Sequence, residues 1–383
     1  MASSYDDSKK VLFILPSLGD GGSETSLLNV LRVFEKNGHS IELIIEKQTV
    51  AETQDQGEHL MLPDGVKVHH LHDKFMGKSG SKFLRKYALL RLIRQLDVKV
   101  AGYDLILSNY VTSNAFVERY FPDKVYYWVH FDFSSQMRKN YEISRRKGDR
   151  FKKKLKAYFN NKNLIFVSKG ASDFLLSLTG FKARTATVIH NMFDIDRIQN
   201  AACEEQNKIP PEPYIIHIAR LDIFQKRQDL LFEAFKHIDS RYKLVLLTRS
   251  SLELDAMIRN AGLSDRVIVA DYQKNPYPWI KKARLLVLCS DYEGLPMSII
   301  ESLICHTEVV STDCPSGPAE ILSGALSNNL VPCNDAQAFA NKVNEVLANP
   351  APKSSFDDYI QRFSQDTIFP HYLNLIGNEE DSL

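Results

Sequence analysis

The sequence predicts an α/β protein made of doubly wound, parallel-stranded domains. Short apolar runs, bounded and too brief for core helices, recur at residues 11–15, 41–45, 104–108, 125–129, 164–167, 214–218, 243–247 and 285–289. Several of them lead into a loop of Gly, Pro or charged residues, followed by apolar positions at helical spacing. The pattern restarts in the second half of the 383-residue chain, which suits two domains of about 190 residues each.

Composition narrows the class. Hydrophobic content of 44% and charged content of 25% are ordinary for a soluble globular protein, and a net charge of +1 gives no global field toward nucleic acid. No apolar run approaches the 18 residues of a membrane span, and residues 1–10 lack the apolar core of a signal peptide. The five cysteines, at 203, 289, 305, 314 and 333, show no C-x-x-C spacing and read as reduced, largely buried thiols of a cytosolic protein.

In the first half, the strand from Val11 leads to Gly19-Asp-Gly-Gly-Ser-Glu and then to a helical stripe of Leu27, Leu28, Val30, Leu31 and Phe34. The loop is neither a Rossmann G-x-G-x-x-G, since Glu24 stands at the third glycine position, nor a P-loop. Gly21 and Gly22 are the candidates for close backbone approach to a ligand. A short strand is expected around 66–71, and an apolar, basic helix over 82–100. His130 ends the strand from Val125, on the side where doubly wound sheets bind ligands. Residues 145–162 hold nine Lys and Arg against Asp149 alone. So one-sided a run fits an anionic membrane surface or a pyrophosphate-linked lipid, and no nucleic-acid motif accompanies it. Asp194-Ile-Asp196 has metal-binding spacing, but its place in the polar junction over 190–212 favours helix capping.

The second half carries the chemistry. Its first strand leads to a loop flanked by Arg220 and Lys226, two cations able to neutralise a diphosphate without a metal. The strand from Leu285 leads to Tyr292-Glu-Gly-Leu-Pro-Met-Ser-Ile-Ile-Glu301. Pro296 fits the first helical position, and the N–H groups of Leu295, Met297 and Ser298 should fan out toward phosphate. Glu293 on the loop and Glu301 about two turns into the helix would bracket roughly 10 Å, the span of a diphosphate between a sugar and a ribose. Residues 315–320, Pro-Ser-Gly-Pro-Ala-Glu, offer further N–H groups toward the diphosphate.

The stretch from Tyr292 to Glu301 resembles the donor-site signature of retaining nucleotide-sugar glycosyltransferases of family 4. The resemblance covers nearly the whole chain and is dense over 214–320, and the Cys314-Pro-Ser-Gly-Pro-Ala-Glu variant is similar to bacterial surface-polysaccharide and lipid-linked oligosaccharide enzymes. It implies a GT-B fold: two Rossmann-like domains facing across a cleft, with residues 1–195 binding the acceptor and 196–365 the donor. A helix over 366–383 would cross back to the first domain.

The resemblance also implies a retaining, metal-independent hexosyltransferase with no cofactor. It would move a hexose or N-acetylhexosamine from a nucleoside-diphosphate sugar, UDP rather than GDP by family frequency, to a glycan or lipid-linked acceptor in surface-polysaccharide synthesis. The expected site is cytoplasmic, peripheral on the inner face of the plasma membrane. Glu293, His130, Arg220 and Lys226 take the catalytic roles. Gly21, Gly22, Tyr272, Gly294, Leu295, Pro296, Met297 and Glu301 line the donor, with Tyr272 packing on the base. The rival readings are a nucleotide-sugar 2-epimerase of the same architecture and a non-catalytic nucleotide-sugar-binding scaffold. One departure is Cys305-His306, where the family has glycine after the helix. It predicts a left-handed His306 or a contact made by it.

Overall fold

In the computed structural model, which describes residues 8–17, 21–45, 62–70, 102–109 and 123–377, the apolar runs form two parallel sheets. The first comprises β1 (Lys10–Leu15), β2 (Ser40–Ile45), β3 (Lys67–His70), β4 (Leu105–Ser108), β5 (Val125–Val129), β6 (Asn163–Phe166) and β7 (Thr185–Val188), in spatial order 3-2-1-4-5-6-7. The second comprises β8 (Tyr214–Ile218), β9 (Lys243–Leu247), β10 (Val267–Val269), β11 (Leu285–Leu288), β12 (Val309–Thr312) and β13 (Leu330–Val331), in order 10-9-8-11-12-13.

Strands β4, β5, β6, β11 and β12 are buried at every residue, which is why they read as unbroken apolar runs rather than alternating ones. In each sheet the strand order reverses once, between β1 and β4 and between β8 and β11. The crevice outside the carboxyl ends at such a reversal is where open α/β sheets bind ligands. The loops after β1, β8 and β11 are the ones carrying Gly21, Lys226 and Glu293.

Helices follow the strands. In the first domain they are α1 (Gly22–Lys36), α2 (Ser134–Ile143), α3 (Arg145–Phe159) and α4 (Lys169–Ser177). Then come α5 (Ile195–Ala201), α6 (Gln228–Phe235), α7 (Leu252–Asn260), α8 (Tyr277–Lys282) and α9 (Met297–Ile304). The chain ends with α10 (Pro318–Ile321), α11 (Ala336–Ala348), α12 (Asp357–Gln361) and α13 (Gln365–Gly377). The helix expected over 82–100 lies outside the described residues.

The crossing between domains is physically explicit. Asp194 caps α5 by accepting from the Arg197 N–H at 3.0 Å, the capping role its sequence position favours. Phe193 exchanges backbone bonds with Phe363 (2.9 Å) and Gln365 (3.0 Å), so the outgoing and returning chains pair. Helix α13 then lays Phe369 and Tyr372 on Phe34 of α1, at centroid distances of 5.0 and 6.2 Å, with Tyr372 also 6.1 Å from Trp128 of β5.

Helix α9 ends as its sequence foretells. His306 is left-handed at φ 56°, and its N–H and that of Thr307 bond back to the Leu303 and Ser302 carbonyls, a Schellman closure. His306 Nε2 also meets Asp357 Oδ1 at 2.9 Å. All five cysteines are free, but Cys203 is exposed, because it follows the short surface helix α5 rather than lying in an apolar run.

Candidate active site

The second-domain wall is a pair of interlocked loops. Asp222, just after β8, accepts from the Phe224 (3.1 Å) and Gln225 (2.9 Å) backbone N–H groups and from the Arg220 guanidinium (3.0 Å). Arg220 also donates to Gln225 Oε1 at 2.5 Å, yet its side chain remains 65% exposed. Gln225 is buried. Its amide donates to the Tyr292 carbonyl at 3.1 Å, and its own carbonyl accepts from the Asp291 N–H at 2.8 Å. Arg227 adopts φ 53° and binds Asp229, Asp291 and Asn334. The loops after β8 and β11 are therefore bonded into one body.

Within that body Lys226 Nζ lies 2.6 Å from Glu293 Oε1, with side chains only 14% and 7% exposed. The pair brings together two of the four residues expected to do the chemistry.

His130, the third, sits across the cleft at the end of β5. It is buried against the Trp128 ring at 4.4 Å, and among the described residues its Nε2 has no hydrogen-bond partner. Burial lowers its pKa to about 3, so the imidazole is neutral at physiological pH. Two residues on, the Asp132 carboxylate accepts from the Ser134 N–H at 2.8 Å and opens α2. Gly294 closes the distance between domains: a Cβ there would overlap the His130 carbonyl oxygen.

The glycine loop meets the same place. Gly21 precedes α1 in ordinary extended backbone, φ −96°, and a Cβ on Gly22 would lie 3.8 Å from Met297 Cγ. Leu295 and Met297 are buried beneath the turn. Pro296 is the cap of α9 rather than its first helical residue, because its ψ of 104° is extended and the helix begins at Met297. Glu301 is accordingly the fifth residue of α9, little more than one turn in.

Glu301 is half-buried. Desolvation raises its pKa to about 7, against the opposing pull of Arg197 and a long contact of 3.5 Å from the Tyr277 hydroxyl. Arg197 and Tyr277 carry no motif of their own; what brings them to Glu301 is the packing of α5 and α8 on α9. Tyr272 is 45% exposed past the carboxyl end of β10, two strands from β8.

The loop that begins at Pro315 packs against the turn before α9: at Gly317, φ 95°, a Cβ would meet Pro296 Cδ at 2.5 Å and the Gly294 oxygen at 2.8 Å.

The basic run forms α3 and the three residues that follow it. Ser144 caps α3, and Arg145, Arg146, Lys147, Arg150, Lys153 and Lys154 are exposed on it, next to exposed Tyr141 and Ile143. Among the described residues no helix is long and apolar enough to cross a membrane, and no three His, Cys, Asp or Glu residues group as metal ligands.

Comparison with known proteins fits this geometry. The family model for Glycosyltransferase Family 4 matches residues 20–197, and that for Glycosyl transferases group 1 matches residues 199–363. An uncharacterized glycosyltransferase of Methanocaldococcus jannaschii is 34% identical over 150 residues, 37% of each chain. The N-acetylgalactosamine-N,N'-diacetylbacillosaminyl-diphospho-undecaprenol 4-alpha-N-acetylgalactosaminyltransferase of Campylobacter jejuni is 30% identical over 156 residues, 40% of this chain and 42% of that one. The chain thus spans about two fifths of the length of these curated relatives. The crystal structure of Anabaena HepE in complex with UDP and glucose superposes with a TM-score of 0.73 at 19% identity, covering 97% of this chain and 100% of that one. With both halves matched and the two facing Rossmann-like domains in place, the chain belongs to the family 4 glycosyltransferases of GT-B fold.

Proposed function

We propose that this chain is a retaining, metal-independent glycosyltransferase. It moves a hexose or N-acetylhexosamine from a UDP-sugar to a glycan acceptor, lipid-linked, in bacterial surface-polysaccharide or lipopolysaccharide synthesis. The observation that carries the reading is the buried Lys226–Glu293 pair held against the Gly294–His130 contact at the mouth of both sheets. The relative that acts on a diphospho-undecaprenol substrate and the neighbour solved with UDP and glucose support the acceptor and donor classes.

In this reading the diphosphate lies along Arg220, Lys226 and the first-turn N–H groups of α9, which face it where negative charge grows. Glu301 accepts from the ribose hydroxyls. Glu293 holds sugar hydroxyls and stabilises the oxocarbenium-like centre, and neutral His130 orients the sugar. Tyr272 packs on the base, and Gly21 and Gly22 pass beneath the phosphates. The anomeric C–O bond breaks with its electron pair leaving on the diphosphate. The acceptor oxygen bonds to the same face, and its proton passes to the departing phosphate oxygen. The basic face of α3 holds the protein on an anionic leaflet.

The test is nucleoside diphosphate release from UDP-glucose, UDP-GlcNAc, UDP-GalNAc and GDP-mannose, each with and without a lipid-linked acceptor. Acceptor-stimulated UDP release is expected from one of the UDP-sugars. No release from any of the four, with acceptors present, overturns the reading.

A further inference from the structure

One carboxylate outside the reactive pair bridges the two domains. Glu320, at the end of the loop that backs the donor turn, accepts from two consecutive backbone N–H groups of the first domain. These are Lys169 at 2.7 Å and Gly170 at 2.9 Å, both in the first turn of α4. His190 Nε2 lies 3.4 Å from the same carboxylate. Beside it the Ser168 hydroxyl, which caps α4, meets the Ser316 hydroxyl at 2.9 Å, and Ser316 donates on to the Gly294 carbonyl at 3.2 Å. The backbones themselves touch here: a Cβ on Gly170 would lie 2.9 Å from the Pro315 oxygen and 3.0 Å from Ser316 Cβ.

We infer that Glu320 is a positioning residue that clasps the closed cleft, holding the donor turn at Gly294 against His130 by seating its carboxylate on the N-terminus of α4. Two orphan N–H groups at a helix start, with the positive end of the helix dipole behind them, form a strong mate for a carboxylate. The clasp is mechanically linked to the site. Glu320 fixes the 315–320 loop to the first domain, Gly317 packs that loop under Gly294 and Pro296, and Ser316 joins the Ser168 cap to the Gly294 carbonyl. An opening that parts α4 from the 315–320 loop breaks the Glu320 and Ser316 contacts together, though the groups stand about 150 residues apart in sequence. The structural part of this inference is independent of the transfer reaction. Its kinetic part rests on the function proposed above.

Pulsed dipolar distances between spin labels at Lys153→Cys and Leu252→Cys, on the full chain carrying Cys203→Ser, test the clasp without any sugar substrate. The wild-type sequence should show a closed population, alone or with UDP. Glu320→Ala, which removes the anion, and Gly170→Ala, which keeps it but wedges the backbone contact, should each lower the closed-to-open ratio by at least about tenfold. Thermal melts confirm that each variant is folded. If turnover is established, Glu320→Ala should lower kcat about tenfold while leaving UDP affinity within about twofold, since UDP rests mainly on the second domain. A wild type without a closed population, or both variants matching it, overturns the clasp. An equal loss of UDP affinity shows that Glu320 acts on donor binding and overturns the positioning role.

Discussion

Lys226 Nζ and Glu293 Oε1 stand 2.6 Å apart, both largely shielded from water, at the point where the loops after β8 and β11 lock together. A buried ion pair is a poor source of net stability but a costly thing to halve. Removing Glu293 leaves the ammonium without its ion-pair partner in a desolvated place. Glu293→Ala is expected to abolish sugar transfer and to cost about 3 to 5 kcal/mol of stability. Glu293→Ala combined with Lys226→Met should recover most of that stability and none of the activity. Urea unfolding of both single variants and the double variant reads the coupling directly. Additive losses would show that the two groups do not depend on each other.

His130 makes a different prediction, because it is buried and neutral rather than paired. Among the described residues its Nε2 has no hydrogen-bond partner, so its loss strands none of their polar groups. His130→Ala should therefore lower kcat by about a hundredfold, the scale of a lost orienting contact, with a small change in melting temperature. A pKa of about 3 keeps the imidazole neutral across pH 5 to 8. Any inflection of the rate in that range should persist in His130→Ala. Its disappearance there would mean that the imidazole itself titrates.

The central strands were legible because burial on both faces demands unbroken apolar runs, and the loops after β8 and β11 because they place charge at a strand's carboxyl end. His306 was legible for a similar reason: a non-glycine residue at a helix end must take left-handed backbone or find a partner, and it does both. Helix α2 was not legible, since it buries only Ser135 and Met137 and so carries no apolar stripe. The register of α9 was displaced by one residue because Pro is acceptable at either the cap or the first helical position, and only the backbone angle decides. Arg227, Arg197, Tyr277 and Glu320 act through partners many residues away. Nothing local distinguishes such groups from a solvated surface charge or a packed ring.

Glu301 links the proposed donor site to stability. Its carboxyl is raised from the ordinary value to about 7 by desolvation, so the folded chain holds this proton more tightly than the unfolded chain does. Between about pH 4.5 and 7 the native state binds more protons here, and stability from this group falls as pH rises, levelling above pH 7. Wild type minus Glu301→Gln, followed by melting temperature from pH 4.5 to 8, should show that decline. A flat difference would place Glu301 in a solvated environment. Any rate inflection near pH 7 should disappear in Glu301→Gln.

The exposed face of α3 gives the last prediction. Among the described residues Arg146, Lys147, Arg150, Lys153 and Lys154 form no ion pair; the one acidic residue on the helix, Asp149, lies 3.9 Å from Arg145. Exposed Ile143 and Tyr141 adjoin this face and supply apolar area for an interface. Near an anionic leaflet each basic residue contributes about 1 kcal/mol, so reversing Lys147, Arg150, Lys153 and Lys154 to Glu should weaken binding to phosphatidylglycerol vesicles by at least about a hundredfold. Wild-type binding should fall steeply between 0.05 and about 0.5 M salt, because screening shortens the reach of exposed charge. Cosedimentation with charged and neutral vesicles measures both effects. Equal binding to the two vesicle types would remove the electrostatic account of this surface.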